Sequence, residues 1–158
     1  MRQRTAGTLV VGLGVLLVLA HFYWPPLWLL DPGEYERATI TVHDADETQQ
    51  ATVDVRIADT ATKRFVGLSE TDSLDPDSGM LFVHDSEGSK SYVMRDMSFP
   101  LDIVFIDSEE QITDVHHAPV DGGSYEGRAQ YVLEVERGWA NATGVDIGDT
   151  VQIPERVR

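Results

Sequence analysis

Two groups of side chains in this sequence have the types and spacing to do chemistry. The first is Asp102 with an arginine. Residues 101–106 read Leu-Asp-Ile-Val-Phe-Ile, apolar on both parities except for the one acid, as a central strand covered on both faces would be. An ionised carboxylate at the mouth of such a strand requires a partner, and Arg64 or Arg95 is the expected one. The pair would either pin a helix to the sheet or belong to a polar cluster that orients a ligand. Asp102 and Asp107 are five residues apart on one strand and so point to opposite faces, which excludes a pair of catalytic carboxylates. The second group is Met80, Met94 and Met97 with His84. Thioethers and imidazole suit a soft ion such as reduced copper, which makes His84, Met94 and Met97 the weak metal candidates, while methionine as a filler of irregular cores accounts for the same residues without a metal. His116 and His117 are neighbours on a strand, point to opposite faces and read as edge or surface residues.

Other chemistries find no support. Gly122-Gly123-Ser124-Tyr125-Glu126-Gly127 misses the spacing of a serine nucleophile elbow by one residue and reads as a glycine-rich hairpin loop. There is no phosphate-binding loop, no dinucleotide fingerprint and no paired-histidine metalloprotease motif. No cofactor and no catalytic residue are assigned on this basis. Asn141-Ala142-Thr143 is a glycosylation sequon, with Asn141 its acceptor.

The elements that must position these residues fit in one modest domain of a 158-residue chain. The formal charge is −15, from 27 acids against 12 bases. A field of that sign repels phosphate backbones, so nucleic acid is not an expected partner. Cysteine is absent, which excludes disulfides, thiolate metal sites and thiol nucleophiles. Ten of the twelve bases are arginine and the acids are scattered, a composition that resembles the proteins of salt-loving organisms.

Residues 6–24 carry no charge and are dominated by Leu and Val. As a helix they would span about 28 Å, enough to cross a hydrocarbon core. Arg2 and Arg4 precede them, acids follow, and Phe22, Tyr23, Trp24 and Trp28 cluster at the far end, so the expected topology is a single-pass signal anchor with a cytoplasmic amino terminus and an extracytoplasmic domain. Cleavage after Ala20, as in a signal peptide, would leave an exposed apolar tail, and the uncut anchor is preferred. The expected organisation is an anchor and interfacial segment over 1–30, a linker over 31–38 and a β-rich domain over 39–158.

Within that domain, 39–43 and 52–57 alternate with period two and suggest a hairpin with its turn over 44–50. Asp59 or Thr60 can cap a short helix running to Leu68, with Phe65 and Leu68 facing inward. Further strands are expected over 79–84, 91–94, 101–107, 112–117, 131–136 and 150–153, and a second short helix over 139–143 stopped by Gly144. Phe99-Pro100 is an aromatic–proline step at which a cis bond would make a tight turn. The fold class is mainly β, a compact β sandwich or partly open barrel with two short helices.

Five ordered blocks then carry a resemblance: Lys63-Arg64-Phe65-Val66-Gly67-Leu68; Gly79-Met80-Leu81-Phe82-Val83; the long run from Met94-Arg95-Asp96-Met97-Ser98-Phe99-Pro100 into 101–107; Val132-Leu133-Glu134-Val135 with Gly138-Trp139-Ala140; and Gly144 with Gly148-Asp149. Over about residues 52–154 the chain resembles the family called domain of unknown function 192. The resemblance implies a small β-rich domain, often exported or membrane-tethered, of unestablished activity. Two positions depart from the family pattern, Ser69 where a methionine is usual and Tyr92 where a tryptophan is usual. Matching positions leave Arg64, Met94, Asp102 and Glu134 as candidates for a shared feature, with Arg95 as the alternative partner of Asp102. The expected function is a membrane-tethered module that binds a small ligand or a partner protein; a copper-type metal-handling domain and an enzyme of unknown reaction are the alternatives.

Overall fold

The computed structural model describes residues 31–158, and the chain divides at Asp31/Pro32, with 32–158 forming one unit. The expected anchor helix and its aromatic cluster fall in residues 1–30, outside the described ones. Among the described residues no helix is long and apolar enough to cross a membrane.

Apolar residues at every second position build a seven-stranded sheet: β1 (Arg37–His43), β2 (Gln49–Ala58), β3 (Ser78–Val93), β4 (Leu101–Ile106), β5 (Ile112–Ala118), β6 (Ser124–Glu136) and β7 (Thr150–Gln152), ordered β5-β4-β6-β3-β2-β1-β7. Every neighbouring pair is antiparallel except β2 with β3, which run parallel. A parallel pair needs a crossover, and α1 (Ala61–Val66) supplies it, its first turn capped by the Thr60 hydroxyl accepting from the Lys63 N–H. The second helix, α2 (Trp139–Thr143), ends at Gly144 in the left-handed conformation at φ 81°, where a side chain would be strained.

This is a single curled sheet, so the open-barrel expectation describes it and the two-sheet sandwich does not. Its edge strands meet at one end. Gln111 bridges Thr150, the Ile112 N–H donates to the Asp149 carbonyl at 2.9 Å, and the Val151 N–H donates to the Glu110 carbonyl at 2.8 Å. One face carries a core that includes Ile40, Val53, Leu81, Val104, Leu133 and Val151. The other carries Met80, Phe82, Met94, Ile103, Phe105 and Val132. Because both faces are covered, all six residues of β4 are buried. β4 is nevertheless next to the edge, and β3 is the middle strand.

Four further expectations are corrected. The separate strands over 79–84 and 91–94 are one strand, β3, continuous through an irregularity between Val83 and Gly88. The glycine-rich segment is a loop only as far as Gly123, and Ser124 to Gly127 belong to β6; Gly127 lies so close to the Phe105 ring that a Cβ there would come within 2.5 Å of it. The Phe99–Pro100 bond is trans. On α1, Val66 and the following Leu68 are buried, whereas Phe65 is half-buried beneath the Arg95 guanidinium, 4.2 Å from its ring centre.

Candidate functional site

The sheet separates residues that the sequence groups together. Asp102 and Glu134 are the two buried charged-type residues among the described ones, at 0% and 6% exposure, and they face opposite sides. Glu134 lies opposite Met80 on β3 and Ile103 on β4, on the Phe82–Phe105 face. Asp102 is one residue from Ile103 and so points the other way.

Asp102 is a structural tie. Its Oδ1 meets His117 Nδ1 at 2.6 Å, and its Oδ2 accepts from the Gly138 and Ala140 N–H groups, each at 3.0 Å. The carboxylate thus satisfies the two amides that open α2 and holds that helix to the sheet, where negative charge suits the helix start. The expected arginine partners are elsewhere. Arg64 Nη1 donates to the Asp59 and Val83 carbonyls at 2.8 and 2.7 Å, and Arg95 Nη2 donates to the Phe65 carbonyl at 2.6 Å. His117, expected at an edge or surface, has 41% of its side chain exposed while its Nδ1 is bound to Asp102. His116 does point to the opposite side of β5, against Phe105, with Nε2 3.1 Å from the Glu126 carbonyl.

The other face carries a groove of about 510 Å³, bounded by α1 and the residues after it, by 89–93 of β3, and by Arg95 and Met97. Its walls bring together Arg64, Arg95 and Glu134 from the sequence candidates, with His84 and Met97. Met94 does not join them; it is packed in the core at 6% exposure. Tyr92, at one family departure, shares a 2.9 Å hydrogen bond with His84 Nε2 and stands edge-on to Phe82 and Phe105. Ser69, at the other, lines the groove and donates to the Val66 carbonyl.

Glu134 is the unusual group. Among the described residues nothing hydrogen-bonds its carboxyl, and burial pushes its pKa up to about 8. A buried acid without a donor keeps its proton because the charged form would lose its hydration. His84 is driven the other way, down to about 4, first by burial and then by the charges of Lys90 and Arg64, with Asp85 opposing. Burial also raises the Tyr92 phenol, reinforced by Glu134. At neutral pH the floor is therefore uncharged. The walls are cationic: among the described residues no carboxylate lies within 4.0 Å of the Arg64 or Lys90 charge, although the Asp59 carboxyl feels Arg64, and Arg95 has only an exposed contact to Asp96 at 3.8 Å. A cationic groove on a chain of charge −15 has a neutral acid able to donate a hydrogen bond at its base, an arrangement suited to an anion.

The metal expectation gains little from this geometry. His84 and Met97 share the groove, but the Nε2 of His84 is engaged by Tyr92 and Met94 is in the core. Among the described residues no three His, Asp or Glu side chains gather as a metal-ligand group. Asn141 is exposed on α2.

The model of the DUF192 family, described as uncharacterized ACR, matches residues 41–153. No curated protein matches the chain. Among solved structures, a provisionally assigned transcription regulator from Sinorhizobium meliloti is 26% identical with a TM-score of 0.72, the match covering 77% of this chain and 97% of that one. A protein of unknown function from Novosphingobium aromaticivorans is 24% identical with a TM-score of 0.68, covering 74% and 85%.

Proposed function

We propose that this chain, which belongs to the DUF192 family, is a membrane-tethered extracytoplasmic domain that binds an anionic ligand in the groove above Glu134. The observation that carries the binding is the carboxyl itself, 6% exposed and without a hydrogen-bond partner among the described residues, in a groove that Arg64, Lys90 and Arg95 also line. A protonated Glu134 donates to a ligand oxygen, and the cations neutralise the ligand's charge; charge-assisted bonds of this kind are about twice as strong as neutral ones. A groove of this size lies in the range of ordinary ligand sites, roughly 300–1,000 Å³. The tether rests on the uncharged run over 6–24 and the arginines before it. The acidic surface keeps such a domain hydrated in strong salt.

The test is thermal unfolding of the full-length chain in mild detergent against acetate, glutarate, phosphate and sugar acids, each beside its neutral amide or unphosphorylated counterpart. A bound anion at about 100 times its dissociation constant adds about 2.7 kcal/mol and raises the midpoint by several degrees. Arg64→Ala is expected to abolish that shift. Equal shifts from the neutral counterparts, or a shift indifferent to Arg64→Ala, would remove the anion reading.

A further inference from the structure

The groove borders an unfinished sheet edge. β2 pairs with β3 only from Asp54↔Ser78 to Ala58↔Phe82, whereas β3 continues to Val93, paired on its other flank with β6 from Gly88↔Ala129 to Val93↔Ser124. The first carbonyl beyond β2, that of Val83, is met by Arg64 Nη1 instead of a strand. Past it, Lys90 Nζ reaches back to the Ser86 carbonyl. Among the described residues, no element other than β6 hydrogen-bonds the backbone of residues 89–93. In an antiparallel pair every second residue turns both its N–H and its C=O away from the partner strand, so this stretch offers a ladder to an incoming chain. Residues 89, 91 and 93 are exposed, and all five line the same groove as Arg64, Arg95 and Glu134.

We infer that the ligand is an extended acidic peptide that adds as a strand to the 89–93 edge of β3 and places a carboxylate among Arg64, Lys90, Arg95 and Glu134. This rests on the anion reading of the groove and specifies what carries the anion. Edge addition supplies affinity through main-chain bonds while pockets read alternate side chains. A second copy of this strand is a poor occupant, because it would bring a second Lys90 to a groove already lined by Arg64, Lys90 and Arg95, and a lysine on an edge opposes self-pairing. An acidic partner meets three cations instead. The titratable groups that line the groove together with Glu134 are Arg64 from α1, His84, Lys90 and Tyr92 from β3, and Arg95 from the segment after β3.

The experiment uses the full-length chain in mild detergent with random heptapeptides carrying a fixed central Glu, from which the tightest binder is resynthesised with alternate backbone amides N-methylated, and with Glu changed to Gln. Glutarate is the small-anion comparator. The expected result is a loss of affinity of tenfold or more from either change, together with slowed hydrogen exchange of the 89–93 amides under the peptide but not under glutarate. Glutarate binding with no selectable peptide, or a peptide indifferent to N-methylation, would overturn the strand addition and leave the anion groove standing. Absence of binding by both glutarate and peptide would overturn both.

Discussion

Asp102→Ala is expected to destabilise the domain by about 2–5 kcal/mol, the cost of leaving two α2 amides without their acceptor, and to lower the unfolding midpoint by roughly 10 °C or more. The substitution leaves the Gly138 and Ala140 N–H groups without the acceptor that each reaches at 3.0 Å, and frees His117; an unsatisfied buried donor costs about 1–3 kcal/mol. Asp102→Asn keeps a carbonyl oxygen for the α2 amides and is expected to lose less than half as much. His117→Ala should be non-additive with Asp102→Ala, while Arg64→Ala and Arg95→Ala should add to it simply, since neither arginine touches the carboxylate. Measured coupling to Arg64 with none to His117 would contradict this arrangement.

Glu134→Gln is expected to change the shape of the pH–stability curve. An acid whose pKa rises from 4.5 unfolded to about 8 folded holds more protons in the folded state, so stability falls as pH rises through that window, by up to about 1.4 kcal/mol per pH unit. His84, lowered from 6.5 to about 4, binds more protons when unfolded, so its contribution rises between about 4 and 6.5. The two slopes oppose each other up to about pH 6.5, and Glu134 acts alone from there to about 8. In the Gln variant the fall above pH 6.5 should vanish, and the rise due to His84 below it, which Glu134 offsets in the unsubstituted protein, should emerge. Denaturant unfolding of both proteins from pH 4 to 9 measures the difference, in which the titrations common to both cancel. Parallel curves would mean that Glu134 is ionised in the folded protein.

Much of the β framework was legible. Val53, Val55 and Ile57 alternate with Asp54 and Arg56, and that pattern places β2 with its first face in the core. Gly144 ends α2 because the left-handed turn at its position is easy only for glycine. Glu134 also had a signal, as a lone acid in the apolar run Val132-Leu133-Glu134-Val135. The partner of Asp102 did not. From Ile106↔Ile112 an undisturbed ladder puts His116 opposite Asp102, but the register shifts by one residue between Phe105 and Ile106 and brings His117 there. A bulge is a local backbone event that hydrophobic alternation does not encode, so nothing in the sequence pairs Asp102 with His117. The union of Arg64, Met94, Asp102 and Glu134 in one cluster failed for a related reason. Asp102 and Glu134 are on adjacent strands, and which faces they share depends on that register.

The single curled sheet gives the two acids different work. On one side an acid anchors a helix by accepting from its first amides. On the other an acid of similar burial has no donor, and burial raises its pKa. Arg64, Lys90 and Arg95 line the same groove, and the proposed anion site rests on that combination.

The most direct test is the titration of the Glu134 side-chain carboxyl by carbon-13 NMR in the full-length protein, assigned by its loss in Glu134→Gln, with and without a saturating anion from the panel. The expected midpoint is near 8 for the free protein, moving upward when the anion binds, since a ligand held by the protonated form favours that form. A midpoint in the ordinary carboxylate range, or one that the anion leaves in place or lowers, would contradict the account.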